Sequence, residues 1–229
     1  MIDPPSTMKL KLLPLVALAL AASSGLVTAA TTVVHPKTVG LEIPDNESSG
    51  LASQITVSST ELITGLELTL VTSGGWNGDL YAYLEHDGVI SVLLNRAGVT
   101  SSNSAGASSS GMNVTFADTA LEDVHSGLSD TFGVLATGTY QPDGRVADPG
   151  VVLDTSPRTL SFAGFTGQVA GGNWTLFIAD LSSGETATLD SWSLALTTEV
   201  SAIPEPGAMM PLGALCAAGL LLRSRRRKA

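Results

Sequence analysis

Between Leu51 and Thr198 apolar residues recur at every second position, in short runs cut by Gly, Ser, Asn and Asp. In LELTLV, Leu66, Leu68 and Leu70 share one face while Glu67 and Thr69 take the other. DLYAYLEH alternates Leu80, Ala82 and Leu84 with Tyr81, Tyr83 and Glu85. Further on, NVTF is a short run; NWTLFIAD puts Trp174, Leu176 and Ile178 on one face, and SWSLALTT does the same with Trp192, Leu194 and Leu196. A period of two is the signature of strands buried on one side only. His86-Asp87-Gly88 joins two such runs, and Asp-Gly is a strong two-residue hairpin signal. Between Thr31 and Ala202 no helical stripe exceeds two turns; FADTALEDV, 116–124, is the best candidate. The expectation is an all-β protein, an antiparallel β-sandwich of jelly-roll type. Segment 99–111, rich in Ser and Gly, reads as a flexible loop, and 137–157, rich in Pro and Gly, as a second long loop. Trp174 and Trp192 read as core.

Both ends of the chain differ from the middle. Lys9 and Lys11 precede an apolar run, Leu12 to Ala22, and Val27-Thr28-Ala29 is a small-residue cleavage site. That is the layout of a secretory signal peptide over 1–29, with translation starting at Met1 or at Met8. Residues 30–40 read as a linker and 41–200 as the sandwich. Residues 203–229 form a tail: Pro204-Glu205-Pro206, an apolar stretch from Ala208 to Leu222, then Arg223 and Arg225-Arg226-Arg227-Lys228. As a short hydrophobic helix this stretch spans about 22 Å, short of a ~30 Å hydrocarbon core, and Pro211 weakens it. Its basic end belongs on the cytoplasmic side. The sole cysteine, Cys216, lies in this tail, so no disulfide supports the sandwich. Residues 31–203 carry Lys37, Arg96, Arg145 and Arg158 against nineteen acids, a net charge of −15. Such a surface excludes nucleic acid as a partner and favours cations.

Four motifs follow one another in order: IPDNESSGLASQITVSS at 43–59, GDLYAYLEHDGVISVLLNRAG at 78–98, NVTFADTA at 113–120 and GGNWTLFIADLSSGETATLDSWSLALT at 171–197. Together they resemble the P domain (P/homo B, proprotein convertase P-domain-like) that follows the catalytic domain of subtilisin-like proteases. The resemblance implies a jelly-roll sandwich and a non-catalytic role. It departs from the family at Glu185-Thr186-Ala187-Thr188-Leu189 and in the length of 137–157. No protease domain precedes the motifs, so a supporting role toward a subtilisin-like protease would act in trans. The tail resembles a PEP-CTERM sorting signal of Gram-negative bacteria. It implies transient inner-membrane association, removal by an exosortase, and release to the cell envelope or extracellular matrix, a biofilm setting.

No Gly-x-Ser-x-Gly elbow exists, and the three histidines show no zinc-ligand spacing. His35 falls in the linker, His86 in a hairpin turn and His125 on a loop surface; the chain reads as no enzyme. Calcium is the chemical candidate, since hard cations take carboxylate and carbonyl oxygens from loops at sheet ends. The P-domain resemblance nominates Asp79, Asp118 and Asp180 as its ligands; the competing reading has them closing turns on their own backbone. Trp76 and Asn77, in Ser-Gly-Gly-Trp-Asn-Gly, are the candidate ligand-binding residues. Trp76 either folds over the sheet end or, with Tyr81 and Tyr83, stacks on an extracellular polysaccharide or a protein partner. The leading expectation is a structural or interaction module, the alternative an exopolysaccharide-binding one.

Overall fold

The computed structural model describes residues 30–199. The segments read as a signal peptide and a sorting tail, with Pro204, Glu205, Pro206, Arg225, Arg226 and Arg227, lie outside the described residues. Nine strands follow in order: β1 Ala30–Glu42, β2 Leu51–Val57, β3 Leu62–Gly74, β4 Leu80–His86, β5 Val89–Asn95, β6 Met112–Ala117, β7 Ala136–Tyr140, β8 Gly172–Asp180 and β9 Ala187–Glu199. One sheet has the order β1-β9-β3-β6-β7, the other β2-β8-β4-β5. Setting β7 aside, the outermost strands pair with each other and each inner pair nests within: β1 with β9, β2 with β8, β3 with β6, β4 with β5, all antiparallel. That nesting is a jelly roll, the architecture read from the alternation. β7 is an addition, pairing in parallel with β6; the parallel register requires the long connection through α1, Val124–Gly127.

The alternation places the core between the sheets. Leu68, Leu70, Leu80, Ala82, Leu84, Trp174, Leu176, Ile178 and Leu194 are fully buried, while Tyr81, Tyr83 and Glu85 turn outward from β4. Both core tryptophans settle their indole N–H: Trp174 donates to Ala170 O at 3.0 Å, and Trp192, on one sheet, to Ser53 Oγ on the other at 2.9 Å. Buried indoles need such partners. Asp87 and Gly88 both have positive φ, as a two-residue I′ hairpin requires.

Several sequence expectations are corrected. Residues 30–40 are no linker but most of β1, so the sandwich includes them. This strand hides from pattern reading because it is an edge strand exposed on both faces, carrying Pro36 and Lys37, residues that edges tolerate. The helical candidate 116–124 is the end of β6 followed by a turn; the only helix there is the single turn α1, capped by Asp123 Oδ1 accepting from Ser126 N–H. Segment 99–111 is tied back on itself: Asn103 Nδ2 donates to Gly98 O and Gly106 O, and Ala107 N–H to Ala97 O. Segment 137–157 contributes β7 and then seals the free edge of β5, with Asp143 N–H donating to Leu93 O and Gly144 N–H to Val92 O. Gly50 turns the chain into β2 at φ +52°, and a Cβ there would meet Ile178 O and the Phe177 ring. Gly50→Ala is expected to cost about 2 kcal/mol in urea unfolding; an unchanged midpoint would show that the turn relaxes freely.

Candidate functional site

The elements meet at one end of the sandwich. β4 and β8 pair with Leu80 opposite Asp180, which sets Asp79 and Asp180 beside each other at a strand start and a strand end. Leu181 N–H donates to Asp79 O at 3.0 Å, and Glu47 N–H to Asp180 O at 2.9 Å, drawing in the turn after β1. From that turn Asp45 accepts from Gly184 N–H through both carboxylate oxygens, at 3.2 and 3.3 Å. Three acidic side chains thus gather where the β1–β2, β3–β4 and β8–β9 connections converge.

Their electrostatics are unfavourable as they stand. Asp180 is fully buried; its Oδ1 accepts from Ser182 N–H at 3.2 Å, and its Oδ2 has no partner. Burial, with the charges of Asp79 and Asp45 adding to it, pushes its pKa up to about 6. Burial also raises Asp79, against the pull of the Ser182 hydroxyl and the Arg96 guanidinium. A buried carboxylate with a free oxygen beside two others is suited to a cation. Among the described residues, however, no three His, Cys, Asp or Glu side chains converge closely enough to hold a metal by themselves. The pair Asp79–Asp180 fits calcium in part; a full shell would need hydroxyl, backbone and water oxygens as well.

Asp118 does not join them. The β3–β6 register sets Ala117 opposite Glu67, while Asp79 lies beyond Gly74, the far end of β3. The two positions are separated by most of the strand, roughly 25 Å. Asp118 instead accepts from Phe162 N–H at 3.1 Å, a long-range bond rather than one that closes its own turn. Asn77 is corrected too. It is fully buried, and its amide donates to Ser109 Oγ at 2.9 Å and Gly111 O at 2.8 Å, pinning the β5–β6 connection rather than facing a ligand.

Trp76 is half-buried and meets Phe132 edge to face, ring centroids 5.5 Å apart. Trp76 also lines an open cleft of about 450 Å³ together with Asp79, Arg96, Ser182, Ser183 and Glu185. Tyr81 and Tyr83 do not share this site: they stand on the outer face of β4, where Tyr83 stacks on Phe177 at 4.9 Å. Asp45, Arg96, Ser182 and Phe132 were not singled out in the sequence. Asp45 and Arg96 stand inside the quoted motifs IPDN and LLNRAG; Phe132 is an isolated aromatic in a Thr-Phe-Gly turn that no periodicity marks.

The histidines are placed differently from the sequence reading. His86 ends β4, fully buried, its ring stacked on Trp174 at 4.0 Å with Nδ1 near Asn173 O and Nε2 near Val169 O. His125 opens into a buried ion network, not a loop surface: Nδ1 donates to Asp143 Oδ2 at 2.9 Å and Nε2 to Val99 O at 2.8 Å. A carboxylate and a carbonyl both accept, so a doubly protonated ring satisfies both bonds. Burial opposes that charge, but the Asp143 hydrogen bond and charge outweigh it, and the pKa is raised. Arg145 pairs with Asp143 and Asp123, and Arg158 reaches Asp123. Burial also works against the charge of Asp123, yet the two guanidiniums hold its pKa below the ordinary value.

No protein-family model matches the sequence, and no curated protein matches it. Among solved structures, the Aeromonas sobria serine protease in complex with its chaperone aligns at 13% identity and a TM-score of 0.43, over 76% of this chain and 28% of that one. The serine protease of Aeromonas sobria on its own aligns at 17% identity and a TM-score of 0.44, over 78% of this chain and 28% of that one. This chain therefore spans little more than a quarter of the length of either.

Proposed function

We propose that the chain is an exported, non-catalytic, P-domain-like module, sorted by an exosortase to the cell envelope or extracellular matrix, where it acts as a structural or interaction protein. The four motifs behind the resemblance fall on consecutive parts of one sandwich: the turn after β1 with β2, the β4–β5 hairpin, β6, and β8 with β9. The ring nitrogens of both buried histidines are held by carboxylate or carbonyl oxygens, which leaves neither available as a general base toward a nucleophile.

The interaction surface is the loop end around Asp79 and Asp180, and the unpartnered Oδ2 of Asp180 is the observation that carries it. Asp79 and Asp180, with the Ser182 hydroxyl and neighbouring backbone and water oxygens, are the groups that would hold calcium there. The ion would supply the positive charge that the clustered carboxylates lack, and so fix three connections relative to one another. Saturating calcium at pH 7.5 is expected to raise the melting temperature by about 5–10 °C, and EDTA to reverse it. A transition unmoved by either would overturn the cation site. Sorting is tested by fractionation: the wild-type protein is expected in the matrix without Arg225–Lys228, and in an exosortase-deficient strain with the inner membrane. Matrix protein still carrying that basic cluster would overturn the processing.

A further inference from the structure

We infer that the Trp76–Phe132 pair and the cleft beside it form a binding site for a neutral glycan. Phe132 is 73% exposed, yet it is not on a loose loop. Its turn closes through Val134 N–H donating to Thr131 O, and is fastened by Gly133 N–H to Ser108 O and Ser110 N–H to Val134 O. Asp130 Oδ1 accepts from the backbone N–H and the hydroxyl of Ser108, holding the base of the turn. An aromatic side chain displayed to solvent on a rigid mount, and touching a second aromatic, is preorganised for contact.

The cleft next to the pair supplies the complementary chemistry. Asp79 and Glu185 offer acceptors, Ser183 a hydroxyl, and Arg96 donors. Arg96 is held in place by its own backbone at φ +52° and by bonds from Nε to Gly78 O and Nη2 to Ser104 O. Arg145 and Arg158 are engaged with Asp123 and Asp143, whereas Arg96 enters no salt bridge among the described residues. A sugar hydroxyl donates to a carboxylate while accepting from a guanidinium, and the C–H face of a pyranose covers an aromatic ring. The net charge of −15 over residues 31–203 sets the sign: a polyanionic chain is repelled, a neutral one is not.

This inference rests on reading the loop end as an interaction surface, but not on the cation. The test is affinity electrophoresis of the folded protein in gels containing a soluble β-glucan, a galactomannan or polygalacturonate, with calcium and with EDTA. A neutral glycan is expected to retard the wild type, and Phe132→Ala and Trp76→Ala to weaken retention by about tenfold or more. Leu121→Ala, at an exposed position outside the cleft, is expected to change nothing. Phe132→Ala removes a largely exposed ring whose aromatic neighbour is Trp76 and which is no part of the core, so it keeps the test valid should Trp76→Ala disturb the fold. No retardation by either neutral glycan, retention of polygalacturonate alone, or retention indifferent to Phe132 would each overturn the site. So would capture of a protein at position 132 without glycan retention. A melt that ignores calcium together with Phe132-dependent retention sinks the cation reading alone; a calcium shift without retention sinks the glycan alone.

Discussion

Asp143→Ala is expected to cost about 3–5 kcal/mol of stability, because it strips buried His125 of its only carboxylate partner and leaves buried Arg145 with Asp123 alone. The Asp143 carboxylate accepts from His125 Nδ1, Asn95 N–H, Arg145 N–H and Arg145 Nη1, and Asp143, His125 and Arg145 are all almost wholly removed from solvent. These bonds fasten the connection after β7 to the edge of β5 and to α1, so the loss is of a whole seal and not of one contact. Asp143→Asn keeps the shape and part of the hydrogen bonding, and is expected to fall between the two. Urea unfolding measures all three; a change under 1 kcal/mol for the alanine variant would show that the network is dispensable.

The same network sets a pH limit. The folded pKa of His125 is raised, by Asp143 and by Val99 O, with Arg145 opposing. A base whose folded pKa lies above its unfolded value of about 6.5 stabilises fully below that value, and the contribution fades as pH rises through the folded value. Unfolding free energy is therefore expected to decline as pH rises above about 6.5, and Asp143→Ala to abolish that decline. Equal slopes in the two proteins would remove His125 as its source.

What the sequence disclosed follows from burial. Leu66, Leu68, Leu70 and Trp174, Leu176, Ile178 each have one buried face, so their period survives in the sequence and the sheets could be read. β1 has almost no buried face, hence no period, and His35-Pro36-Lys37 reads as a linker although it pairs along β9. The site was legible only in part, for a related reason. Asp79 and Asp180 both flank strands that pair, so they are neighbours; Asp118 also flanks a strand, but at the opposite end of the sandwich, and only the register separates the cases. Asn77 looked like a loop polar group because its neighbours are Gly and Trp; its burial comes from the 99–111 segment folding over it, a long-range contact without a local trace. His125 looked exposed beside Glu122 and Asp123, while its partner Asp143 lies in a different connection.

Asp180→Asn is expected to separate the two readings of the acidic cluster by the sign of its effect. The folded pKa of Asp180 is about 6, against an ordinary 3.8. For an acid whose folded pKa is raised, the native state binds the extra proton, so stability falls as pH climbs from about 4 to 6 and stays lower above that. Two units correspond to about 3 kcal/mol in a site as buried as this. An amide at this position cannot ionise, and its oxygen can still accept from Ser182 N–H. In EDTA at pH 7.5 Asp180→Asn is thus expected to be more stable than the wild type, by up to about 3 kcal/mol, and the two to converge near pH 4. In saturating calcium the wild type is expected to gain and Asp180→Asn to stay where it was, because the substitution removes the ligand charge that attracts the ion. A variant less stable than wild type in EDTA would mean that the carboxylate is satisfied as it stands. A calcium response that survives the substitution would place the ion elsewhere than between Asp79 and Asp180.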